Sequence, residues 1–361
     1  MLVFAALSVQ DVFVSGTDGF DTFRIPALAV ASDGSLLAFA EGRASLDDQA
    51  GNKIVLRRRR KGAEEWSPLQ IVASDEAASL NNPCVLTLPH GRVLLMYQRY
   101  PAGRREATAP PGLDGPRIMR CFLVESRDDG KTWDRPRDIT TQAKRDASVR
   151  TLASGPGVGI RLTEGKRRGR LVFPFNERAG HGWDVFALFS DDGGKTWKAG
   201  SAAPQPPDVQ ANEVQMAEGG PDGILLNARN QDTVRERLQA ISSDGGETWS
   251  EVRPVAALPD PACMGSLIGD RRGALYFANP ADRSERRNGT IYSSRDFGAT
   301  WVPFAKPGES SFGYSCLALS GEKTLFCLYE TERPMPDGRR RYVIRLAEFP
   351  IPQSSDPSKH A

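Results

Sequence analysis

Ser190-Asp191-Asp192-Gly193-Gly194-Lys195-Thr196-Trp197 is one copy of an eight-residue pattern, Ser-x-Asp-x-Gly-x-Thr-Trp, on which the fold prediction rests. Four copies occur, and their first serines are separated by 64, 52 and 52 residues. Recurrence at a fixed period of this size indicates an array of similar structural units. The copies occupy residues 126–133, 190–197, 242–249 and 294–301, and a degenerate fifth, in which only the Trp is kept, occupies 59–66.

The sequence around each copy predicts a β-hairpin. Apolar stretches such as 122–124 and 185–189 come directly before the motif, and alternating polar and apolar residues follow it. The Asp side chain can accept hydrogen bonds from the turn backbone, and Gly tolerates the positive φ that tight turns need. We therefore interpret the motif as a turn that builds the repeat and carries no chemistry.

The remaining sequence predicts an all-β protein. The 35 Gly and 26 Pro are scattered along the chain, and extended helical periodicity is almost absent. A repeat of about 60 residues is long enough for one four-stranded sheet, and 361 residues give about six of them. We predict a six-bladed β-propeller of four-stranded antiparallel blades. Closing the ring requires the two ends to meet, so we expect residues 12–14 to pair in the sheet containing 342–349.

The chain shows no linker that would divide this propeller. We expect a single domain over residues 1–352 and a disordered tail over 353–361. Residues 100–117 are rich in Pro, Gly and charge, and are predicted to overhang one face of the ring. Residues 2–9 fit either the remnant of a signal peptide or the first strand. Localisation stays open between a secreted or periplasmic protein, which is slightly favoured, and a cytoplasmic one.

Composition argues against several classes of function. Lys plus Arg total 47 against 45 Asp plus Glu, and this near balance predicts no nucleic-acid partner. No apolar run approaches the roughly 18 residues of a membrane-spanning helix. The five Cys are too far apart for a disulfide framework or for paired metal ligands, and the three His are also dispersed. We expect neither a metal site nor a Ser-His-Asp triad.

Charged residues inside otherwise apolar strands are the exceptions to the blade pattern. Phe23-Arg24-Ile25-Pro26 and Phe39-Ala40-Glu41-Gly42-Arg43 are the first of these. Together with Asn82-Pro83-Cys84, Asn227-Ala228-Arg229, Leu328-Tyr329-Glu330 and the four repeats, called Asp boxes, they make the chain resemble the exo-sialidases (neuraminidases). The resemblance extends over essentially the whole chain.

The resemblance implies a site that holds an anionic sugar through three arginines. Sialic acid has a carboxylate on its anomeric carbon, and guanidinium groups bind carboxylates in planar, bidentate geometry. Arg24 and Arg229 match two of the family's arginines. The third is Arg286, with Arg287 as the alternative.

The resemblance also implies a tyrosine nucleophile. A carboxylate nucleophile would be repelled by the carboxylate of the sugar, whereas a neutral phenol would not, and sialidases are the tyrosine exception among glycosidases. Tyr314 matches the nucleophile and Glu213 the base that takes its proton. Glu218 is the weaker alternative to Glu213, and Tyr292 and Tyr329 are expected to be core residues instead.

Further positions follow from the same resemblance. Asp48 matches the acid that protonates the leaving oxygen and later activates water, with Asp47 as the alternative. Glu330 matches a residue that orients the first arginine. Arg43 and Asn82 are expected to contact the sugar. Glu41 is expected to pair either with Arg43 or with the ligand.

The implied function is that of a retaining exo-α-sialidase acting on sialylated oligosaccharides, glycoproteins or glycolipids, with no cofactor. Two alternatives are a non-catalytic sialoglycan-binding propeller and a trans-sialidase. A trans-sialidase needs an aromatic platform for the acceptor, for which Trp183 is the visible candidate. The sequence does not indicate the linkage preference, the choice between N-acetylated and deaminated sialic acid, or the oligomeric state.

Overall fold

The computed structural model describes residues 3–231, 235–321, 323–334 and 340–352, so the predicted tail, 353–361, lies outside the described residues. Six small sheets follow one another along the chain, and we number them as blades 1 to 6. The strands of blade 1 are Thr22–Val30, Leu36–Arg43, Lys53–Arg59 and Gln70–Ala73. Those of blade 2 are Ala78–Thr87, Val93–Pro101, Arg120–Ser126 and Arg137–Asp138. Those of blade 3 are Thr151–Ser154, Leu171–Ala179, Gly182–Ser190 and Lys198–Ala199. Blade 4 contains Ala211–Glu218, Ile224–Asn230, Glu236–Ser242 and Arg253–Pro259. Blade 5 contains Ser266–Gly269, Leu275–Pro280, Arg287–Ser294 and Val302–Ser311. Blade 6 contains Ser315–Ser320, Thr324–Pro334, Arg340–Pro350 and, from the start of the chain, Ser8–Val14.

Little regular structure lies outside these strands in the described part of the chain. The short strands Gly157–Val158 and Ile160–Arg161 add to blades 2 and 3. A 3-10 turn covers Glu106–Thr108, and one helical turn covers Thr140–Ala143. No helix among the described residues has the length and apolar character that crossing a membrane requires.

The blades form a closed ring. The first strands of successive blades contact one another in chain order, and the first strand of blade 6 contacts that of blade 1. Ser8–Val14 supplies the outer strand of blade 6, and Phe13 pairs with Ile344 there. The prediction of a six-bladed propeller, closed by residues 12–14 against 342–349, is therefore confirmed.

The apolar core is divided between the blades. Each of the six large clusters of buried apolar residues fills one interface between neighbouring blades; Met96 and Phe173, for example, meet between blades 2 and 3. Each buried Leu or Phe contributes about 1.5–3 kcal/mol. Val158 packs against three of the clusters from the central channel. No blade could bury its two faces alone, so the ring is stable only as a whole.

The Asp boxes lie at the ends of third strands, on one common face of the ring. In each box the Asp carboxylate accepts hydrogen bonds from the box Ser and Thr hydroxyls and from backbone N–H groups of the turn. The boxes also connect successive blades. Arg92 of blade 2 donates to the carbonyl of Gly193, and Arg170 of blade 3 donates to that of Gly245.

The boxes therefore hold neighbouring blades together. We expect Asp244→Ala to lower the free energy of unfolding by about 1–2 kcal/mol, because Ser242 and the Thr248 backbone and hydroxyl lose a charged acceptor. Urea unfolding followed by tryptophan fluorescence measures this. Asp244→Asn, which keeps one acceptor oxygen, should lose less, and an equal loss in both variants would contradict the hydrogen-bond explanation.

Candidate active site

The predicted site residues meet on the face of the ring opposite the Asp boxes. Because strands alternate in direction within a blade, first strands begin, and second strands end, on this face. Arg24 and Glu213 lie near the starts of first strands, and Arg43 and Arg229 near the ends of second strands. Tyr314 comes directly before the first strand of blade 6. A cavity of about 190 Å³ at the axis is lined in part by Arg43, Glu213, Arg229 and Tyr314.

Three first strands break their regular pairing at this cavity. The register shifts between Arg24 and Ala27, between Asn81 and Cys84, and between Ala211 and Val214. A bulge bends the strand and re-aims a side chain. Ile25 and Asn82 have φ of 60° and 53°, and such values are rare for a β-branched residue such as Ile. The backbone is thus adapted to the site where the ring converges.

Tyr314, Glu213 and Arg229 form one hydrogen-bonded group. The Tyr314 hydroxyl donates to Oε1 of Glu213 at 2.5 Å. Arg229 Nη1 donates to Oε2 of Glu213 at 2.7 Å and to the Tyr314 hydroxyl oxygen at 3.0 Å. Only 6% of Tyr314 is exposed. The carboxylate is therefore positioned to take the phenolic proton, while the guanidinium faces the oxygen that would become negative.

The electrostatic surroundings keep the phenol protonated in the resting protein. Burial raises the pKa of Tyr314 well above its usual value, the negative charge of Glu213 raises it further, and Arg229 and Arg286 oppose both. Burial lowers the pKa of Arg229, but the neighbouring Glu213 and Tyr314 outweigh it, so the net direction is upward and the guanidinium stays charged. Phenolate formation therefore has to be coupled to proton transfer to Glu213.

Two more guanidinium groups face the Tyr314 ring. The Cζ atoms of Arg24 and Arg286 lie 5.6 and 5.3 Å from the ring centroid. Both arginines line an adjoining cavity of about 120 Å³ together with Glu330. Arg286 also donates to the carbonyl of Ala262 at 3.1 Å. Arg287, the alternative, points elsewhere and pairs with Asp282 at 2.7 Å.

Glu330 fixes the first of these arginines. Its Oε1 accepts from Arg24 Nε at 2.8 Å and from the backbone N–H of Ile25 at 2.7 Å, and its Oε2 accepts from the Tyr314 N–H at 3.3 Å. The coulombic attraction of Glu330 raises the pKa of Arg24. Among the described residues, Glu330 engages only the Nε of Arg24, so the terminal nitrogens can face an oxyanion.

Asp48 is held at the cavity by Arg43. Arg43 Nη1 donates to Oδ1 of Asp48 at 2.9 Å, and the Asp48 side chain is 74% exposed. Asn52 and Asn81 both donate to the Asp48 backbone carbonyl at 2.6 Å. Asp47, the alternative, does not line this cavity and pairs with Arg105 at 3.2 Å. Asp48 thus combines a fixed backbone with a carboxylate open to solvent.

Of the two partners predicted for Glu41, the structure shows Arg43, and Glu41 does not line the cavity. It is fully buried, and its Oε2 receives hydrogen bonds from Arg43 Nε and from the Asn52 and Asn81 amides. Its Oε1 accepts the N–H of Asn82 at 2.6 Å. Burial raises the pKa of Glu41, although Arg43 opposes this. Glu41 therefore supports Arg43 and Asn82, both of which do line the cavity.

The remaining alternatives lie away from this centre. Glu218 is at the far end of its strand and accepts from the N–H and hydroxyl of Thr163. Tyr292 and Tyr329 are buried between blades. Trp183 lies beneath the Arg178 guanidinium and lines neither cavity.

Several residues at the cavity were not found from the sequence. Tyr100, Glu106 and Asn176 line it. Glu106 belongs to the segment predicted to overhang the ring, although Tyr100 and Pro101 still form the end of a strand. Partial desolvation in the cleft and the charge of Glu213 raise the pKa of Glu106 to about 7. A Glu among many charged loop residues carries no sequence signal, because its role comes from the place of the loop.

The arrangement can bind an anion and carry out proton transfer around a phenol. Three guanidinium groups adjoin one buried tyrosine, a carboxylate accepts its proton, and a second carboxylate is open to water. In the part of the chain that the structure describes, no cluster of three His, Cys, Asp or Glu side chains converges as metal ligands would.

Comparison with known proteins gives consistent results. The family model described as a BNR repeat-like domain matches residues 34–326. The chain is 33% identical to the sialidase of Micromonospora viridifaciens, covering 89% of this chain and 52% of that protein. It is 32% identical to the sialidase of Bacteroides fragilis, covering 88% of this chain and 61% of that protein. Among solved structures, the Hadza microbial sialidase Hz136 matches with a TM-score of 0.81 and 28% identity, covering 94% of this chain and 68% of that one.

The chain thus spans between half and two thirds of the length of these two curated relatives, over a region that includes almost all of the propeller. The match to the repeat model extends from blade 1 to blade 6. Taken with the six-bladed ring and its four Asp boxes, these comparisons establish that the chain belongs to the sialidase family of BNR-repeat proteins.

Proposed function

We propose that this chain is a retaining exo-α-sialidase that hydrolyses terminal sialic acids from oligosaccharides, glycoproteins or glycolipids. The observation that carries the proposal is the 2.5 Å hydrogen bond from the Tyr314 hydroxyl to Glu213, with three arginines around the same phenol. The names of the relatives support the same activity.

In the first step, Arg24, Arg229 and Arg286 bind the carboxylate of the sugar. The Tyr314 oxygen attacks the anomeric carbon as Glu213 takes its proton. Asp48 protonates the glycosidic oxygen, whose bond to the anomeric carbon breaks, and the aglycone leaves. The product of this step is a covalent sugar–tyrosine ether at the anomeric carbon.

In the second step, Asp48 removes a proton from water, which attacks the same carbon. The bond to Tyr314 breaks, and the phenolic oxygen regains its proton from Glu213. Two displacements at one carbon retain its configuration. The exposure of Asp48 suits a residue that must reach both the departing oxygen and water.

A neutral nucleophile is consistent with the charge of the site. The arginines attract an anionic substrate, and an ionised carboxylate at the position of Tyr314 would be repelled by the bound sugar's own carboxylate. Tyr314 is neutral until Glu213 accepts its proton. The positive charges of the arginines therefore act during binding, whereas negative charge on the Tyr314 oxygen develops only during the attack.

The activity itself is tested with 4-methylumbelliferyl sialoside. We expect fluorescent release at some pH between 4 and 8. Absence of turnover over that range, combined with retained binding of sialylated glycans, would favour the non-catalytic alternative, and release of a sialylated acceptor rather than free sialic acid would favour a trans-sialidase.

Tyr314→Phe tests the nucleophile. We expect kcat to fall by at least about 100-fold, because the attacking oxygen is removed. The affinity for 2,3-unsaturated sialic acid should change by less than about threefold, since the arginines remain. Steady-state kinetics and isothermal titration calorimetry give the two numbers.

Tyr292→Phe is the matched control, because it removes the hydroxyl of another buried tyrosine in a neighbouring blade. It should leave kcat unchanged. Equal losses of turnover and of affinity in Tyr314→Phe would argue that Tyr314 serves binding and is not the nucleophile.

The titration of Glu106 predicts that substrate affinity depends on pH. With a pKa raised to about 7, Glu106 is mostly neutral at pH 6 and mostly anionic at pH 8, where it adds negative charge beside Glu213 and Asp48. Affinity for an anionic sugar should therefore fall as the pH rises, and KM should increase about two- to threefold from pH 6 to 8 through this group. Glu106→Gln should flatten that part of the KM profile. The control is Glu251→Gln, which changes an exposed glutamate outside the lining of the cavity and should keep the wild-type KM profile. An unchanged KM profile in Glu106→Gln would show that the titration of Glu106 does not affect binding.

A further inference from the structure

A buried ion pair lies behind the active-site arginines and contacts neither cavity. Arg237 and Asp260 have fully buried side chains, and Arg237 Nη1 lies 3.2 Å from Asp260 Oδ2. The Arg237 Cζ atom also lies 5.3 Å from the centroid of the Phe277 ring. Burial lowers the pKa of Arg237, while Asp260 opposes this. Neither residue appears in the lining of the cavities around Tyr314.

The pair organises the segment 261–264. Arg237 Nη1 donates to the carbonyl of Cys263 at 2.5 Å, and Asp260 Oδ1 accepts the Cys263 N–H at 2.9 Å. Both backbone groups of Cys263 are thus tied to the pair. Ala262 lies between Asp260 and Cys263 in the sequence and has a φ of 56°. Such a value is uncommon for a residue with a side chain and needs fixed surroundings to persist.

This segment contacts two of the proposed catalytic and binding residues. The Ala262 carbonyl accepts a hydrogen bond from Arg286 Nη2 at 3.1 Å. Cys263 and Met264 pack with Ile25 and Tyr314 in one buried cluster. A movement of the segment would therefore displace the guanidinium of Arg286 and the support of the Tyr314 ring together.

The same pair also reaches the strand of Arg229. Arg237 Nε donates to Asn227 Oδ1 at 2.8 Å, and Asp260 Oδ2 accepts the N–H of Asn230 at 3.2 Å. Asn227 and Arg229 are two residues apart on one strand, so they face the same side. The pair thereby connects the end of this strand to the segment that holds Arg286.

Stability alone does not account for such a pair. Replacing a buried ion pair by apolar residues of similar size is often neutral or stabilising, whereas the directed hydrogen bonds of a guanidinium fix one geometry. We propose that Arg237, with Asp260, is a positioning residue that sets Arg286 and Tyr314 through the segment 261–264. The inference rests on the proposed function for its effect on catalysis, but not for its effect on the segment.

Arg237→Lys tests the positioning. Lysine keeps the charge but lacks the planar fork that serves Asn227, Asp260 and Cys263 simultaneously. The matched control is Arg170→Lys. The Arg170 side chain is almost as buried, pairs with the more exposed Asp191 and Glu247, and lies on the Asp-box face. Asp260→Asn, which keeps the shape of the partner, serves in the same way if Arg237→Lys does not fold.

The first readout needs no activity. All five cysteines are buried. In the native Arg237→Lys protein, Cys263 should react with N-ethylmaleimide at least about tenfold faster than in the wild type, while the other four cysteines and the control variant do not change. Peptide mass spectrometry identifies the labelled residue. Unchanged labelling of Cys263 in a folded variant would overturn the proposal even if the protein proves not to be a sialidase.

The second readout is a double-mutant cycle on the affinity for 2,3-unsaturated sialic acid. Arg237→Lys should weaken binding by about tenfold in the wild-type background and by less than about twofold when Arg286 is already Ala, because the first change acts through Arg286. Arg170→Lys should have no effect in either background. Independent, multiplying effects of Arg237→Lys and Arg286→Ala, or the same loss in Arg170→Lys, would mean that Arg237 only stabilises the fold.

Discussion

The carboxylate of Glu330 is the interaction on which the geometry of the site depends. It joins blade 6 to blade 1 by accepting hydrogen bonds from Arg24, from the backbone of Ile25 and from the backbone of Tyr314. These partners come from opposite ends of the chain and become neighbours only when the ring closes. The N-terminal strand Ser8–Val14 completes that closure at the outer edge of blade 6, and Glu330 completes it at the axis. Binding and catalysis thus require the whole ring rather than any single blade.

Charge balance explains why so many basic groups can lie around two adjoining cavities. Arg24 pairs with Glu330, Arg229 with Glu213, and Arg43 with both Glu41 and Asp48. Each carboxylate pairs with an arginine, Glu41 and Asp48 sharing Arg43, and also has a second task, such as accepting the phenolic proton or holding a bulged backbone. Arg286 pairs with no carboxylate among the described residues, and its side chain is held by a carbonyl instead. The four arginines are therefore balanced by four carboxylates in total, while the guanidinium of Arg286 is left to face an anionic ligand without a cluster of uncompensated cations around it.

The sequence was sufficient for the architecture and for the family. Hairpin motifs at a regular period predict both the number of blades and the closure, because they depend on local turn chemistry. The resemblance pointed to Tyr314, Glu213 and the arginines, which the structure brings together. It could not reveal the bulges at Ile25, Asn82 and Asn212 or the burial of Glu41, since both arise where six strands crowd at the axis. Glu106 and Arg237 were missed for a related reason: many charged residues look alike in sequence, and only their tertiary neighbours distinguish them.

The two faces of the ring divide stability from function. On one face the Asp boxes repeat the same hydrogen-bonded turn and connect blade 2 to blade 3 and blade 3 to blade 4. The opposite face contains the buried charges Glu41, Arg43, Arg237 and Asp260, together with the left-handed backbone at Ile25, Asn82 and Ala262. Buried charge and unusual φ each cost stability unless their surroundings compensate for them. The Asp-box face also holds a buried charge, Arg170, and left-handed backbone at Asp129 and Phe297. There these features serve the turns and the contacts between blades, whereas on the opposite face they surround the cavities around Tyr314.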